Sequence, residues 1–252
     1  MNSSDSVSIH LQGASKIFPG EVEAIRNVDL SISPGRVVAL LGPTGCGKTT
    51  ILRLIGGLEE PTSGTVECHP KNSVIGYCFQ EPRLLPWRTV RRNVGLPLEL
   101  QGVVESQRDK AIDSVLAMVG LQDASDRLPA ALSGGMQMRT SLARSLVCEP
   151  DLLLLDEPFA ALDEVTRLRL DEEVSALVRR QGITTLIVTH SITEAVFIAD
   201  EIVVLSPHPG QVHLHVDVPF GERVAALRGS AEFAALTARV YESLCSVMGD
   251  ET

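Results

Sequence analysis

The chain has 252 residues, a formal net charge of −10 and only 4% aromatic residues. That length can bury roughly three quarters of the surface an unfolded chain exposes, enough for one large domain or two small ones. The acidic balance argues against a nucleic-acid partner, because binding a phosphate backbone needs a dense basic face; Arg83, Arg88, Arg91 and Arg92 form the one local basic cluster and read as solvated surface. The cysteines Cys46, Cys68, Cys78, Cys148 and Cys245 are odd in number and lack C-x-x-C spacing, so reduced thiols of a cytosolic protein are expected. Residues 1–8 are polar, so no secretion signal is expected, and no apolar run approaches the ~20 residues that span a bilayer. Any membrane role is therefore expected to be peripheral.

In chain order, Val7, Ile9, Leu11 and Val28, Leu30, Ile32 alternate with polar residues and predict an antiparallel strand pair. Val37 to Leu41 is a continuous apolar run that predicts a buried strand, and Ile51, Leu52, Leu54 and Ile55 follow it with helical spacing. Thr65 to Cys68 reads as a short strand, and Ser73 to Phe79 as a buried one that delivers Gln80 at its end. From Pro82 the character changes to helical spacing, with Ala111, Ile112, Val115, Leu116 and Val119 closed by Gly120, which predicts a helical insertion. Strands at Leu152 to Leu155, Thr185 to Thr189 and Ile202 to Leu205 then frame an amphipathic helix over Glu164 to Gln181 that stops at Gly182. Strands alternating with helices imply a mostly parallel sheet covered on both faces. Val212 to Val218 alternates with period two and suits an edge strand or hairpin, whose His213 and His215 read as a solvated face rather than a metal site. Ser230 to Met248 reads as one packing helix.

The chemistry concentrates after the run Val37 to Leu41. Gly42 to Thr50 reads GPTGCGKTT and fits G-x-x-x-x-G-K-[ST] between a strand and a helix, the context that a phosphate-binding loop requires. Glycines at 42, 45 and 47 let backbone N–H groups turn toward one anion, and the helix start adds its partial positive charge. Lys48 is placed to neutralise β/γ-phosphate oxygens, and Thr49 to give its hydroxyl to Mg²⁺. The intervening Pro43, Thr44, Cys46 and the following Thr50 complete the nucleotide-lining loop, with Cys46 expected to be an inert small side chain.

Leu152 to Glu157 reads LLLLDE, an apolar strand ending in two carboxylates. Next to a nucleotide their roles separate: Asp156 holds Mg²⁺, and Glu157 accepts a proton from the attacking water. Gln80 and His190 each end a strand and are expected to reach the same metal, water or γ-phosphate. Ser133, Gly134 and Gly135 precede a helical run, with Ser133 a good N-cap, and make a second anion-binding helix start.

Taken in order, GPTGCGKTT at 42 to 50, Gln80, LSGGM at 132 to 136, LLLLDE at 152 to 157, AALD at 160 to 163 and His190 resemble the nucleotide-binding subunit of ABC transporters. The resemblance runs over about residues 7 to 210. It implies a P-loop NTPase-type α/β fold: a mostly parallel sheet with flanking helices, an N-terminal antiparallel β subdomain and an inserted α-helical subdomain at about 82–146. The ATPase domain is placed at 1–228 and a C-terminal helical tail at 229–252. The family likeness also implies that Phe18 stacks on adenine, that Ser133 and Gly135 contact the ATP of a second, head-to-tail copy, and that Asp163 organises that interface. ATP and Mg²⁺ are the expected cofactors. The expected partners are a second copy or a homologous ATPase subunit, an integral-membrane permease that docks on the helical lobe, and a periplasmic-type solute-binding protein. The expected location is the cytoplasmic face of the membrane.

Two positions depart from the family pattern: Met136 stands where Gln is usual, and Ser191 follows His190 where Asp is common. Neither touches the phosphate loop or Glu157, so an active ATPase is expected. FQEPRLLPWRTVRRNV at 79 to 94, LSGGMQMR at 132 to 139 and LSPHPG at 205 to 210 resemble the importer branch for nitrate, sulfonates and taurine. The alternative is an ABC-type ATPase that drives a regulatory, lipid-trafficking or cell-division complex.

Overall fold

The computed structural model describes residues 7–249, so most of the polar segment 1–8 and the last residues of the tail lie outside the described residues. Two sheets carry the fold. A three-stranded antiparallel sheet joins β1 (Ser8–Phe18), β2 (Val22–Ile32) and β4 (Ser63–His69) in the order β2-β1-β4. The alternation expected for the first pair is what sets its register, with Ile9 opposite Ile32, Leu11 opposite Leu30 and Ala14 opposite Val28.

The second sheet has six strands in the order β5-β6-β7-β3-β8-β9, comprising β3 (Val37–Leu41), β5 (Ile75–Cys78), β6 (Leu152–Asp156), β7 (Thr184–Val188), β8 (Glu201–Leu205) and β9 (Val212–Asp217). All neighbours are parallel except β9, which runs antiparallel to β8 as an edge strand with His213 and His215 exposed. Because strand side chains alternate, the central strands feed two cores. Ala39, Leu41, Leu153, Leu155, Ile187 and Val204 face one side, and Leu40, Leu152, Leu154, Leu186, Val188 and Val203 face the other.

The second of these faces is covered by α1 (Lys48–Ile55), through Ile51, Leu52, Leu54 and Ile55, and by the three-stranded sheet. The first carries most of the remaining helices: α2 (Val90–Val94), α3 (Leu96–Leu100), α4 (Glu105–Met118), α5 (Gly134–Leu146), α6 (Glu164–Gln181), α7 (Ile192–Ile198) and α8 (Ala231–Gly249). Helix α6 stops where its sequence says it should, on Gly182 in the left-handed region at φ 67°. The apolar stripe of α8, Phe233, Leu236, Val240 and Val247, joins the same core as α7 and β9.

One expectation needs correcting. The stretch expected as a buried strand over Ser73 to Phe79 is the edge strand β5, shorter than expected, with Ile75 42% exposed. Its apolar composition reflects packing on α5, not a neighbour on each side.

Candidate functional site

The strand order decides the site. Because β5, β6, β7 and β3 are adjacent and parallel, Gln80, the pair Asp156–Glu157, His190 and Gly42 emerge in one row at the same sheet edge, at strand spacings of about 4.8 Å. Far apart in the sequence, these residues are brought together by the topology.

At β3 the chain turns through Gly42 and closes with Cys46 N–H donating to the Pro43 carbonyl at 3.3 Å. A Cβ on Gly47 would lie 2.4 Å from Ile25 Cγ2 and 2.7 Å from the Ala24 carbonyl oxygen, at a φ of +96°. Space and dihedral therefore both demand glycine there. Gly45, at φ +82°, has open space around it, and with Thr44 it forms the exposed tip of the loop. Helix α1 opens on Gly47 without a side-chain cap, which leaves its first-turn N–H groups available to an anion. The Lys48 ammonium, 8% exposed, donates to the carbonyls of Gly42 at 2.7 Å and Pro43 at 2.8 Å, so it already lies over the mouth of the loop. Cys46 is fully buried, and burial pushes its thiol pKa up, as suits a packing residue rather than a nucleophile.

At β6 the Asp156 carboxylate is 2% exposed and accepts the Thr49 hydroxyl at 3.1 Å, which joins the loop to the neighbouring strand end. Burial is the main cause raising the Asp156 pKa, and the adjacent Glu157 charge adds to it; the Thr49 bond, Arg53 and Lys48 act in the opposite direction. Glu157 sits at φ 49°, a backbone region uncommon for a side chain with a Cβ, and its N–H donates to the Val188 carbonyl at 2.9 Å. That geometry aims its carboxylate at the strand ends on either side. The Gln80 amide nitrogen donates to Glu157 Oε2 at 3.4 Å, and His190 Nδ1 lies 3.5 Å from the same oxygen.

Ser133 caps α5 by accepting the Met136 N–H at 3.3 Å, and it is exposed. A Cβ on Gly135 would lie 3.2 Å from the Ala161 carbonyl oxygen, so this helix start packs on the AALD loop, while Gly134 has open space. Asp163 caps α6 by accepting the Thr166 N–H at 3.0 Å, which lowers its carboxyl pKa. Phe18 ends β1 half-buried, with the Lys16 ammonium 5.2 Å from its ring centroid.

Several supporting residues carry no motif. Arg144, on α5, donates to the Pro82 and Arg83 carbonyls at 2.8 and 3.0 Å, so the helix that begins at Ser133 also holds the segment after Gln80. Asn93 is fully buried and braces the next stretch through its bonds to Leu85, Arg88 and Thr89. Only long-range contacts reveal either residue.

A glycine-rich loop between a buried strand and a helix, with an acidic pair on the next strand but one, defines a P-loop nucleotide hydrolase. Residues 25–160 match the ABC transporter family model. The aliphatic sulfonates import ATP-binding protein SsuB of Cupriavidus pinatubonensis is 43% identical over 93% of this chain and 76% of its own length. The taurine import ATP-binding protein TauB of Jannaschia sp. is 38% identical over 81% of this chain and 78% of its own. Among solved structures, the dimeric ATP-binding cassette MJ0796 bound to ADP and Pi aligns with a TM-score of 0.76 at 30% identity, covering 84% of this chain and all of that one. The chain belongs to the ABC transporter family, as an ATP-binding ATPase of that family.

Proposed function

We propose that this chain is the ATP-hydrolysing subunit of an importer for a small sulfonate-type anion. Two copies close head to tail around two ATP molecules and drive a separate membrane permease, which a periplasmic-type binding protein supplies. The observation that carries the hydrolytic part is Glu157 at a strand end with Gln80 and His190 at 3.4 and 3.5 Å from one of its oxygens, two strands from the Gly42–Thr50 loop. The names of the sulfonate and taurine relatives support the import part.

On this reading the first-turn N–H groups of α1 and Lys48 hold the β- and γ-phosphates, with Lys48 exchanging the Gly42 and Pro43 carbonyls for phosphate oxygens. Thr49 and Asp156 offer hard oxygen donors 3.1 Å apart, a set that suits Mg²⁺, and the Gln80 amide oxygen would add a third. When bound, the ion supplies charge neutralisation on the phosphates. Glu157 orients the attacking water and takes its proton, and His190 bridges Glu157 and the γ-phosphate. Phe18 stacks on the adenine.

The exposed helix start at Ser133 contacts the ATP held by the other copy, with Asp163 at the shared interface. The permease docks at a cleft of about 500 Å³ in the helical lobe, where Trp87 is 72% exposed beside Arg88 and Arg91. Those two arginines pair with Glu99 and with Asp109 and Asp113, so half of the basic cluster is neutralised within the lobe. Arg144 then links this lobe's movement to the segment after Gln80. Among the described residues no helix is long and apolar enough to cross a membrane, so on this reading the chain works at the membrane through that docking surface. Reconstitution with a membrane permease of the sulfonate-import class tests the proposal. ATPase activity should rise when a sulfonate-loaded binding protein is added, and an unchanged rate across sulfonates, taurine and nitrate would reject the import assignment.

A further inference from the structure

His190 has little to hold it directly: its side chain is 65% exposed, and its ring meets Glu157 Oε2 at 3.5 Å. The backbone around it is held much more firmly. Ser191 N–H donates to the Thr189 hydroxyl oxygen at 2.9 Å, and Glu194 N–H donates to the Ser191 hydroxyl at 3.3 Å. These two bonds tie the end of β7 to the first turn of α7 on either side of His190. Thr189 is 2% exposed, so water does not compete for its hydroxyl.

The first turn of α7 is backed by α6, and Glu194, 5% exposed, lies in that packed region, where the Asp171 charge acts on its carboxyl group. Arg228 binds Asp171 at 3.2 Å and Glu172 at 2.6 Å and lies 3.4 Å from the Phe197 ring centroid on α7. Among the described residues, Glu194 Oε1 and Asp171 Oδ1 are buried without a hydrogen-bond partner.

We propose that Thr189 and Ser191 are positioning residues of the hydrolysis reaction, whose two hydrogen bonds set where the His190 imidazole stands relative to Glu157. The inference rests on the reading that His190 acts at the γ-phosphate. It also gives Ser191 a role at a position where the family commonly has aspartate: its hydroxyl caps α7 without adding a charge there.

The experiment compares purified full-length Thr189→Val, Thr189→Ser, Ser191→Ala and His190→Ala with the unmodified protein. It uses steady-state ATPase kinetics and the ¹³C–¹H spectrum of histidine-labelled protein, in which the signal lost in His190→Ala identifies His190. Thr189→Val should lower kcat roughly tenfold at unchanged KM for ATP and shift or broaden the His190 signal, because a displaced catalytic group costs rate before it costs binding. Ser191→Ala should lower kcat by about threefold in the same manner, and Thr189→Ser, which keeps the hydroxyl, should restore both readouts. Normal kcat in both Thr189→Val and Ser191→Ala would overturn the proposal, as would a Thr189→Ser as impaired as Thr189→Val. His190→Ala with normal kcat would instead overturn the reading of His190 on which it rests.

Discussion

Glu194→Gln should change how stability depends on pH, and the direction follows from where Glu194 sits. Burial, with the Asp171 charge adding to it, pushes the Glu194 carboxyl from its ordinary 4.5 up to about 8; the Thr189 bond and Arg167 pull it down by less, and Glu157 adds a little upward. A carboxyl whose folded pKa is raised binds its proton more tightly in the folded state. Its stabilisation is therefore complete below about pH 4.5 and is lost as pH rises through 8. Between pH 6 and 8 one such group removes about 2 kcal/mol. For a chain of 252 residues that corresponds to about 4–8 °C in Tm. Asp171, pushed up to about 7 chiefly by burial, loses its share in the same direction in both proteins and largely cancels in the comparison. Thermal unfolding followed by circular dichroism from pH 6 to 8 should show Glu194→Gln gaining on the unmodified protein by about 4–8 °C toward the alkaline end. Parallel Tm curves would refute the assignment of a protonated carboxyl at this site.

The phosphate loop allows a paired comparison. Gly47→Ala puts a Cβ 2.4 Å from Ile25 Cγ2 and should weaken ATP binding at least ~tenfold by calorimetry, whereas Gly45→Ala meets only the strain of its positive φ, about 1 kcal/mol; equal losses would contradict the packing argument. Ser133→Arg should abolish turnover while leaving the nucleotide affinity of the monomer within about twofold, because the exposed helix start serves the other copy's ATP. A large loss of monomer affinity would place that helix in the same chain's site.

Much of this arrangement is legible in the residues, for reasons that can be named. Leu152 to Leu155 is buried on both sides, so composition alone marks a central strand, and Asp156–Glu157 at its end is unmistakable beside a phosphate loop. Gly182 ends α6 because only a left-handed residue closes it there. Composition cannot count neighbours, however, and β5 reads as buried although it is an edge. The hold of Arg144 on Pro82 and Arg83 is equally hidden, since it depends on partners that only the fold brings close. Asp163 shows a residue with two readings: its carboxylate caps α6 within the chain, and the family likeness adds an interface role.

The central claim is that Glu157 is the base of an ATP site completed by a second copy. The most direct measurement is gel filtration of Glu157→Gln with ATP, run alongside a phosphate-release assay. Turnover should fall at least ~100-fold with ATP still bound, and the dimer should persist because its ATP is not consumed. A Glu157→Gln protein that hydrolyses ATP at the unmodified rate and stays monomeric would contradict it.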